Sequence, residues 1–346
     1  MTSVSTLAVL DEHALEQYLA ERLPGFRGPV HATKFNTGQS NPTYLLEAAS
    51  GAYVLRRKPP GVLLKSAHAV DREFRVIRAL GATAVPVPEA LVLCEDEAVL
   101  GAAFYVMSRV EGRIFWDPAV PEVSREERTG IYDAMNDALA ALHAVDPAAV
   151  GLADFGKSGN YFERQLTRWA SQYRASQTEV IPQIDAVIDW LGAHTPADDG
   201  RVSIVHGDYR IDNMIFAPDG PRILAILDWE LSTLGHPFAD LAYQCMQWRL
   251  PHAGNFRGLA GADSAALGIP SEADYVALYC RRAGIAGIDN WPFYLAFSLF
   301  RLAAILQGVV KRALDGNASN PERAAQMAKS VPQLARMASS LIEGGA

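Results

Sequence analysis

The sequence predicts an α+β chain of two lobes, a small one built on a five-stranded antiparallel sheet and a larger, mainly helical one. Three observations carry this. The chain has 346 residues, too many for one small core, and 49% of them are hydrophobic, enough to bury a sizeable one. Its first third alternates short apolar runs with turn residues, the signature of short strands. Near 108–112 the pattern switches to helical spacing, which places the lobes at 1–108 and 109–346.

Each element follows from its own pattern. Residues 10–23 read as a first helix. "VHATKF", "TYLLEA" and "AYVLRR" read as three strands, with turns at "NTGQSNP" and "ASG" short enough for an antiparallel meander. Residues 66–80 return to helical spacing, with Val70, Phe74 and Ile77 on one face. "ALVLCED" and "AFYVMSRV" are two more strands, so the small lobe reads β-β-β-α-β-β. Beyond the boundary, 125–145 is a long amphipathic helix and "NYFERQLTRWASQYRAS" another. A short hairpin at 202–228 interrupts, and helices resume from about 238 to the end.

Composition excludes several classes. A net charge of −8 argues against a nucleic-acid binder. Cys94, Cys245 and Cys280 are too few and too scattered for a disulfide framework or a Cys-rich zinc site, and fit a reducing cytoplasm. The start, "MTSVSTLAVLDEHALEQYLAERL", lacks the basic region of a signal peptide. No uncharged apolar stretch reaches the ~18 residues that suggest a membrane span. "WPFYLAFSLF" comes nearest and is interrupted by Arg301, so no membrane partner is expected.

The chemistry concentrates in two stretches, "IVHGDYRIDNMIF" at 204–216 and "ILAILDWELSTLG" at 223–235. In the first, apolar runs flank a polar loop carrying His206, Asp208 and Asn213. In the second, Asp228 ends an apolar run. Phosphoryl transfer needs this set. One carboxylate, Asp208, orients and deprotonates an acceptor hydroxyl, while a side-chain carbonyl and a second carboxylate, Asn213 and Asp228, hold Mg²⁺ against phosphate oxygens.

These residues also resemble a known family. "HGDYRIDN" is similar to the H-G-D-x-x-x-x-N catalytic loop of the aminoglycoside phosphotransferase and choline kinase group, relatives of the protein kinases. "ILDWE" resembles its metal-binding segment. The resemblance covers about 28–310 and implies a protein-kinase-like fold and ATP or GTP with Mg²⁺ as cofactors. It implies further roles in turn. Gly38 and Ser40 belong to a phosphate-covering turn. Arg56 replaces the usual strand lysine on the α- and β-phosphates, and Glu73 is its helix partner. The Ser108 carbonyl and Val110 amide pair with adenine beside Met107. Asp240 braces the catalytic loop. His206 reads as a second brace, by a hydrogen bond to Asp240.

Other readings stay open. Asp208 alone is also a turn residue bonding its own backbone. Glu73 is also an exposed helix carboxylate, and Asp212 reads as solvated. Met107, Trp169, Tyr173, Trp248 and Trp291 read as core, and Arg281 with Arg282 as a solvated face. "ILAILDWELST" also mimics a haloacid-dehalogenase-type phosphatase, with Asp228 as nucleophile and Glu230 as acid, which requires a repeating βα pattern. A non-catalytic, nucleotide-binding pseudokinase is the other alternative, kept open by arginine at 56.

The acceptor is a small hydroxyl compound. Residues 241–310, expected to line its site, carry four acids (Asp263, Glu272, Asp274, Asp289) against five arginines (Arg249, Arg257, Arg281, Arg282, Arg301). That balance is no trap for a polycationic antibiotic. "YVLRRKPPGVLLKSAHAVDREFRV", "YFERQLTRW" and "ILDWELSTLGHPFADLAY" resemble kinase-like proteins linked to, or fused with, acyl-CoA dehydrogenases. That resemblance implies a hydroxyacyl acceptor, free or as its CoA thioester, and a functional link to such a dehydrogenase. Arg164 and Arg168, one helical turn apart, are candidates for its carboxylate or CoA phosphate, or else a solvated face.

Overall fold

The computed structural model describes residues 10–35, 41–59, 69–253, 256–315 and 321–344. These fall into two compact units. The first takes the described residues up to Glu111 together with Leu227–Glu230; the second takes Gly112–Ile226 and the described residues from Leu231 on.

The first unit opens with helix α1 (Glu12–Arg22), capped by Asp11, whose carboxylate accepts from the Ala14 amide. Strands β1 (His31–Lys34), β2 (Thr43–Ala48) and β3 (Gly51–Arg57), helix α2 (Val70–Leu80), strand β4 (Ala90–Cys94), the single turn α3 (Glu97–Leu100) and strand β5 (Phe104–Ser108) follow. The five strands pair in the order β1-β2-β3-β5-β4, antiparallel throughout. Side chains alternate across the sheet. Tyr44, Leu46, Leu55, Phe104 and Val106 therefore share one face and pack with Leu15 and Leu19 of α1. Each fully buried Leu or Phe here contributes about 1.5–3 kcal/mol. Tyr105 points the other way and meets Phe74 of α2 at 6.0 Å.

That alternation assigns the two neighbouring arginines of β3. Arg57 shares the face of Leu55 and donates to the Leu100 carbonyl at 2.9 Å. Arg56 lies opposite Tyr105 in the register and takes the α2 side.

The second unit begins with α4 (Arg125–Ala144), α5 (Tyr161–Ser176) and α6 (Pro182–Ala193). Strands β6 (Ser203–Val205), β7 (Met214–Phe216), β8 (Ile223–Ile226) and β9 (Thr233–Gly235) come next, then α7 (Phe238–Cys245), α8 (Ser264–Leu267), α9 (Glu272–Arg282), α10 (Trp291–Leu314) and α11 (Pro321–Gly344). The expected hairpin at 202–228 is only partly right. β7 and β8 form it, but β6 pairs with β9, a strand outside that range. β9 is three residues long and shows no alternation, so its sequence carried no strand signal. All these strand pairs are antiparallel, and among the described residues no repeating βα pattern follows Asp228. The phosphatase reading is thereby set aside.

Helix α10 is long and apolar enough to cross a membrane by length and composition. Here it is largely buried, packed against α5, α6, α7 and α11.

Candidate active site

In the first unit, three carboxylates converge on one guanidinium. The apolar stripe of α2 buries Val70, Phe74 and Ile77, and Glu73 falls on the same side one turn from Val70. Its side chain is 1% exposed, so it is no surface carboxylate. Arg56 Nη1 stands 2.9 Å from Glu73 Oε1; Arg56 Nη2 stands 3.1 Å from Asp228 Oδ1 and 3.9 Å from Glu230 Oε2. Asp228 occupies the left-handed backbone region (φ +66°), which Asp tolerates better than most residues. Its side chain is the most open of the four, at 36%.

Burial pushes the Glu73 carboxyl up to about 7; Arg56 pulls it down, but Asp228 and Glu230 push it up again. Burial also works against the Arg56 charge. Glu73 first, then Tyr105, Asp228 and Glu230 outweigh that and hold Arg56 well above its ordinary value.

In the second unit, β6 delivers the chain to a turn whose backbone is held at every step. The Asp240 carboxylate accepts from the His206 amide at 2.6 Å and from the Gly207 amide at 2.8 Å. Gly207 needs to be glycine. Its φ is +86°, and a Cβ there would lie 2.7 Å from the Leu231 carbonyl oxygen. The Asp208 amide donates to His206 Nδ1 at 3.1 Å, which leaves the neutral ring's proton on Nε2. His206 thus braces the loop through its amide on Asp240 and its ring on Asp208.

Asn213 donates through Nδ2 to the Asp208 carbonyl at 2.9 Å and to Asp208 Oδ2 at 3.0 Å. Both amide hydrogens point back at Asp208, so Oδ1 of Asn213 is the atom offered elsewhere. Burial works to raise the Asp208 carboxyl. Arg210 foremost, with the Tyr243 hydroxyl, His206 and Asn213, outweighs it and holds the group below the usual carboxylate range. Asp212 is not solvated as expected. Its side chain is 18% exposed and pairs with Arg210 at 2.5 Å, and burial raises its carboxyl.

The remaining candidates lie as follows. Gly38 and Ser40 fall outside the described residues. The Ser108 amide donates to the Glu89 carbonyl and its hydroxyl accepts from the Glu89 amide, both at 2.9 Å. Val110 is half-buried just beyond β5, and Met107 is buried. Arg164 donates to the Lys157 and Ser158 carbonyls at 2.6 and 3.2 Å, and Arg168 lies over the Trp169 ring at 5.2 Å. Arg164 is half-buried and Arg168 is exposed.

The roles of three residues escaped the sequence reading. His143 Nε2 lies 3.5 Å from Asp240 and its Nδ1 2.7 Å from the Tyr279 hydroxyl. Arg301 donates to the Gly207 carbonyl at 2.6 Å, and Tyr243 helps to hold the Asp208 carboxyl below its usual range. Arg301 and His143 reach the turn from 94 residues downstream of Gly207 and 97 upstream of Asp240, and no local spacing announces that.

The donor chemistry fits magnesium. Mg²⁺ takes hard oxygens and keeps several waters or phosphates rather than an all-protein cage. The Asn213 carbonyl and the Asp228 carboxylate are such oxygens. Among the described residues no cluster of three or more His, Cys, Asp or Glu competes as a metal site.

A five-stranded antiparallel sheet carrying an Arg–Glu pair, together with a helical unit presenting an Asp–Asn loop, defines a kinase-like phosphotransferase acting on hydroxyl groups. Residues 31–275 match the phosphotransferase enzyme family (APH), and the chain belongs to it. Acyl-CoA dehydrogenase family member 10 of Mus musculus is 47% identical over 334 residues, covering 95% of this chain. Acyl-CoA dehydrogenase family member 11 of Rattus norvegicus is 42% identical over 327 residues, covering 92%. The chain spans only 31% and 42% of the lengths of these two relatives. A crystal structure from Ralstonia eutropha, provisionally named an aminoglycoside phosphotransferase, is 50% identical with a TM-score of 0.89, covering 97% of this chain and 99% of that one. A complex of aminoglycoside phosphotransferase APH(4)-Ia with AMP-PNP and hygromycin B shares the fold, at TM-score 0.57 and 17% identity, covering 93% and 98%.

Proposed function

We propose that the chain transfers the γ-phosphoryl group of ATP to the hydroxyl of a small acceptor, a hydroxyacyl compound either free or as its CoA thioester. The observation that carries this is the Asp208–Asn213 pair. Asn213 spends both amide hydrogens on Asp208, fixing the carboxylate and turning its own carbonyl outward. Asn213 and Asp228 would hold Mg²⁺, whose charge would offset that of the phosphates.

Asp208 is ionised at neutral pH, since its carboxyl lies below the usual range. It accepts a hydrogen bond from the acceptor hydroxyl and aligns that oxygen with the γ-phosphorus. As the new O–P bond forms and the bond to the bridging oxygen of ADP breaks, the hydroxyl proton passes to Asp208. Arg56 binds the α- and β-phosphates; it is cationic at every working pH, and arginine bonds phosphate bidentately. Ser108 and Val110 receive the adenine.

Three further findings support the substrates. A relative in fold binds an ATP analogue. The relatives named as acyl-CoA dehydrogenases support a hydroxyacyl acceptor and a functional link to that chemistry, as does the lack of net acidity across 241–310. Phosphorylation turns the hydroxyl into a leaving group.

The test is a phosphate-transfer screen of purified protein with ATP and Mg²⁺ against hydroxyacyl-CoAs, free hydroxy acids, sugars and aminoglycosides, repeated with two variants. Asp208→Asn should leave ATP affinity unchanged and lower kcat by roughly 10²–10⁴. Asp228→Asn should abolish the metal-dependent part of nucleotide binding by calorimetry. An Asp208→Asn enzyme as fast as the parent on a verified acceptor refutes the mechanism. ATP binding with no transfer to any acceptor favours the pseudokinase.

A further inference from the structure

Arg301 stands in the middle of α10 and is 7% exposed. Its guanidinium makes three contacts. Nη2 donates to the Gly207 carbonyl at 2.6 Å, and the central carbon lies 5.3 Å from the Tyr243 ring centroid and 5.6 Å from that of Trp169. Among the described residues no carboxylate lies within ion-pair distance of it. A buried cation without an anion is costly, and two aromatic faces and one carbonyl return only part of that cost. An apolar residue would fill this place in a helix core more cheaply.

What the cation holds is specific. The Gly207 carbonyl and the Asp208 amide belong to one peptide group. Arg301 takes its oxygen and His206 Nδ1 takes its hydrogen, so the peptide that carries Asp208 is clamped at both ends. Tyr243, 4% exposed beneath the same guanidinium, lies beside Asp208 and favours the charged form of its carboxylate. Asn213 holds Oδ2 of that carboxylate. Arg301 therefore reaches Asp208 by two routes, one through its backbone and one through its side chain.

We propose that Arg301 and Tyr243 act as a positioning pair for Asp208. Arg301 fixes the Gly207–Asp208 peptide plane and seats the Tyr243 ring. Tyr243 then fixes the carboxylate so that one oxygen faces the acceptor. The pair's effect on transfer rests on the reading of Asp208 as the group that orients the acceptor; its effect on the turn does not.

The probe is MgATP with water as acceptor, read as ADP release, alongside hydrogen–deuterium exchange of the segment 204–216. Tyr243→Phe keeps the ring under the guanidinium and removes only the hydroxyl. Its kcat should fall roughly tenfold or more, with KM for ATP and melting temperature unchanged. Arg301→Lys keeps the charge but loses the planar donor. It should lower kcat further and speed exchange within 204–216 relative to the rest of the second unit. A purely structural role would lower the melting temperature and leave the kcat of folded Tyr243→Phe intact. Parental kcat in Tyr243→Phe while Asp208→Asn is impaired, or parental exchange of 204–216 in Arg301→Lys, overturns the proposal. If Asp208→Asn releases ADP as fast as the parent, the phosphotransfer mechanism itself fails, and the exchange measurement still decides whether Arg301 holds the turn.

Discussion

The Arg56 guanidinium serves three carboxylates at once, with Glu73 nearest and fully enclosed, and Asp228 and Glu230 more open. This arrangement has a pH signature. The Glu73 carboxyl is raised by burial from 4.5 to about 7, with Tyr105, Arg56, Asp228 and Glu230 as the facing groups. A raised acid binds its proton more tightly in the folded chain than in the unfolded one. Its contribution to stability therefore declines as pH rises from about 4.5 through 7, where the folded group finally ionises. Glu73→Gln cannot ionise and escapes that decline. Relative to the parent, the variant should gain stability as pH rises from 5 to 8. Urea unfolding at the two pH values measures this, and a parallel pH dependence in both proteins would contradict it. At this scale the sequence was legible wherever spacing was local. Asp208 and Asn213 sit five residues apart on one loop, and Asp228 closes a run of apolar residues. Arg301 was visible too, but only as a break in an apolar run, because a contact made 94 residues away leaves no local trace.

Among the elements, the catalytic turn shows how little freedom a short segment between strands retains. Gly207 combines a left-handed backbone with a close approach to Leu231, so Gly207→Ala meets strain and collision together. The expected cost is roughly 1–3 kcal/mol of stability, seen in a thermal melt, with a larger loss of transfer rate because Asp208 is the next residue. Full activity in that variant would show that the turn tolerates displacement. The strands of the small sheet were readable because their period-2 pattern survives into the packing. Tyr44, Leu46, Leu55, Phe104 and Val106 do share a face. The same alternation separates Arg56 from Arg57, which the sequence alone leaves as two adjacent arginines. β6 and β9 were harder. Each is three residues long, too short for a period to be counted, and their pairing spans the whole intervening loop and hairpin. The polar break in α10 was equally ambiguous in sequence, since a buried arginine and an exposed one look the same in a one-letter string.

For the whole molecule, the notable feature is where the compact units divide. The composition changes near 108–112; the first compact unit leaves off at Glu111 and also includes Leu227–Glu230 from far along the chain. The partners of Arg56 are thus inherited in separate pieces: Glu73 with the first hundred or so residues, Asp228 and Glu230 with the rest. This bears on how the chain can be recombined with its relatives. A crossover after Glu111 looks like a clean exchange of modules, yet it transfers a guanidinium without two of its anions. Chimeras joining residues 1–111 of this chain to the remainder of other family members should keep nucleotide affinity only where the second parent brings carboxylates to positions 228 and 230. Moving the crossover upstream or downstream within 109–125 should not rescue the mismatched ones, whereas grafting the four residues Leu227–Glu230 should.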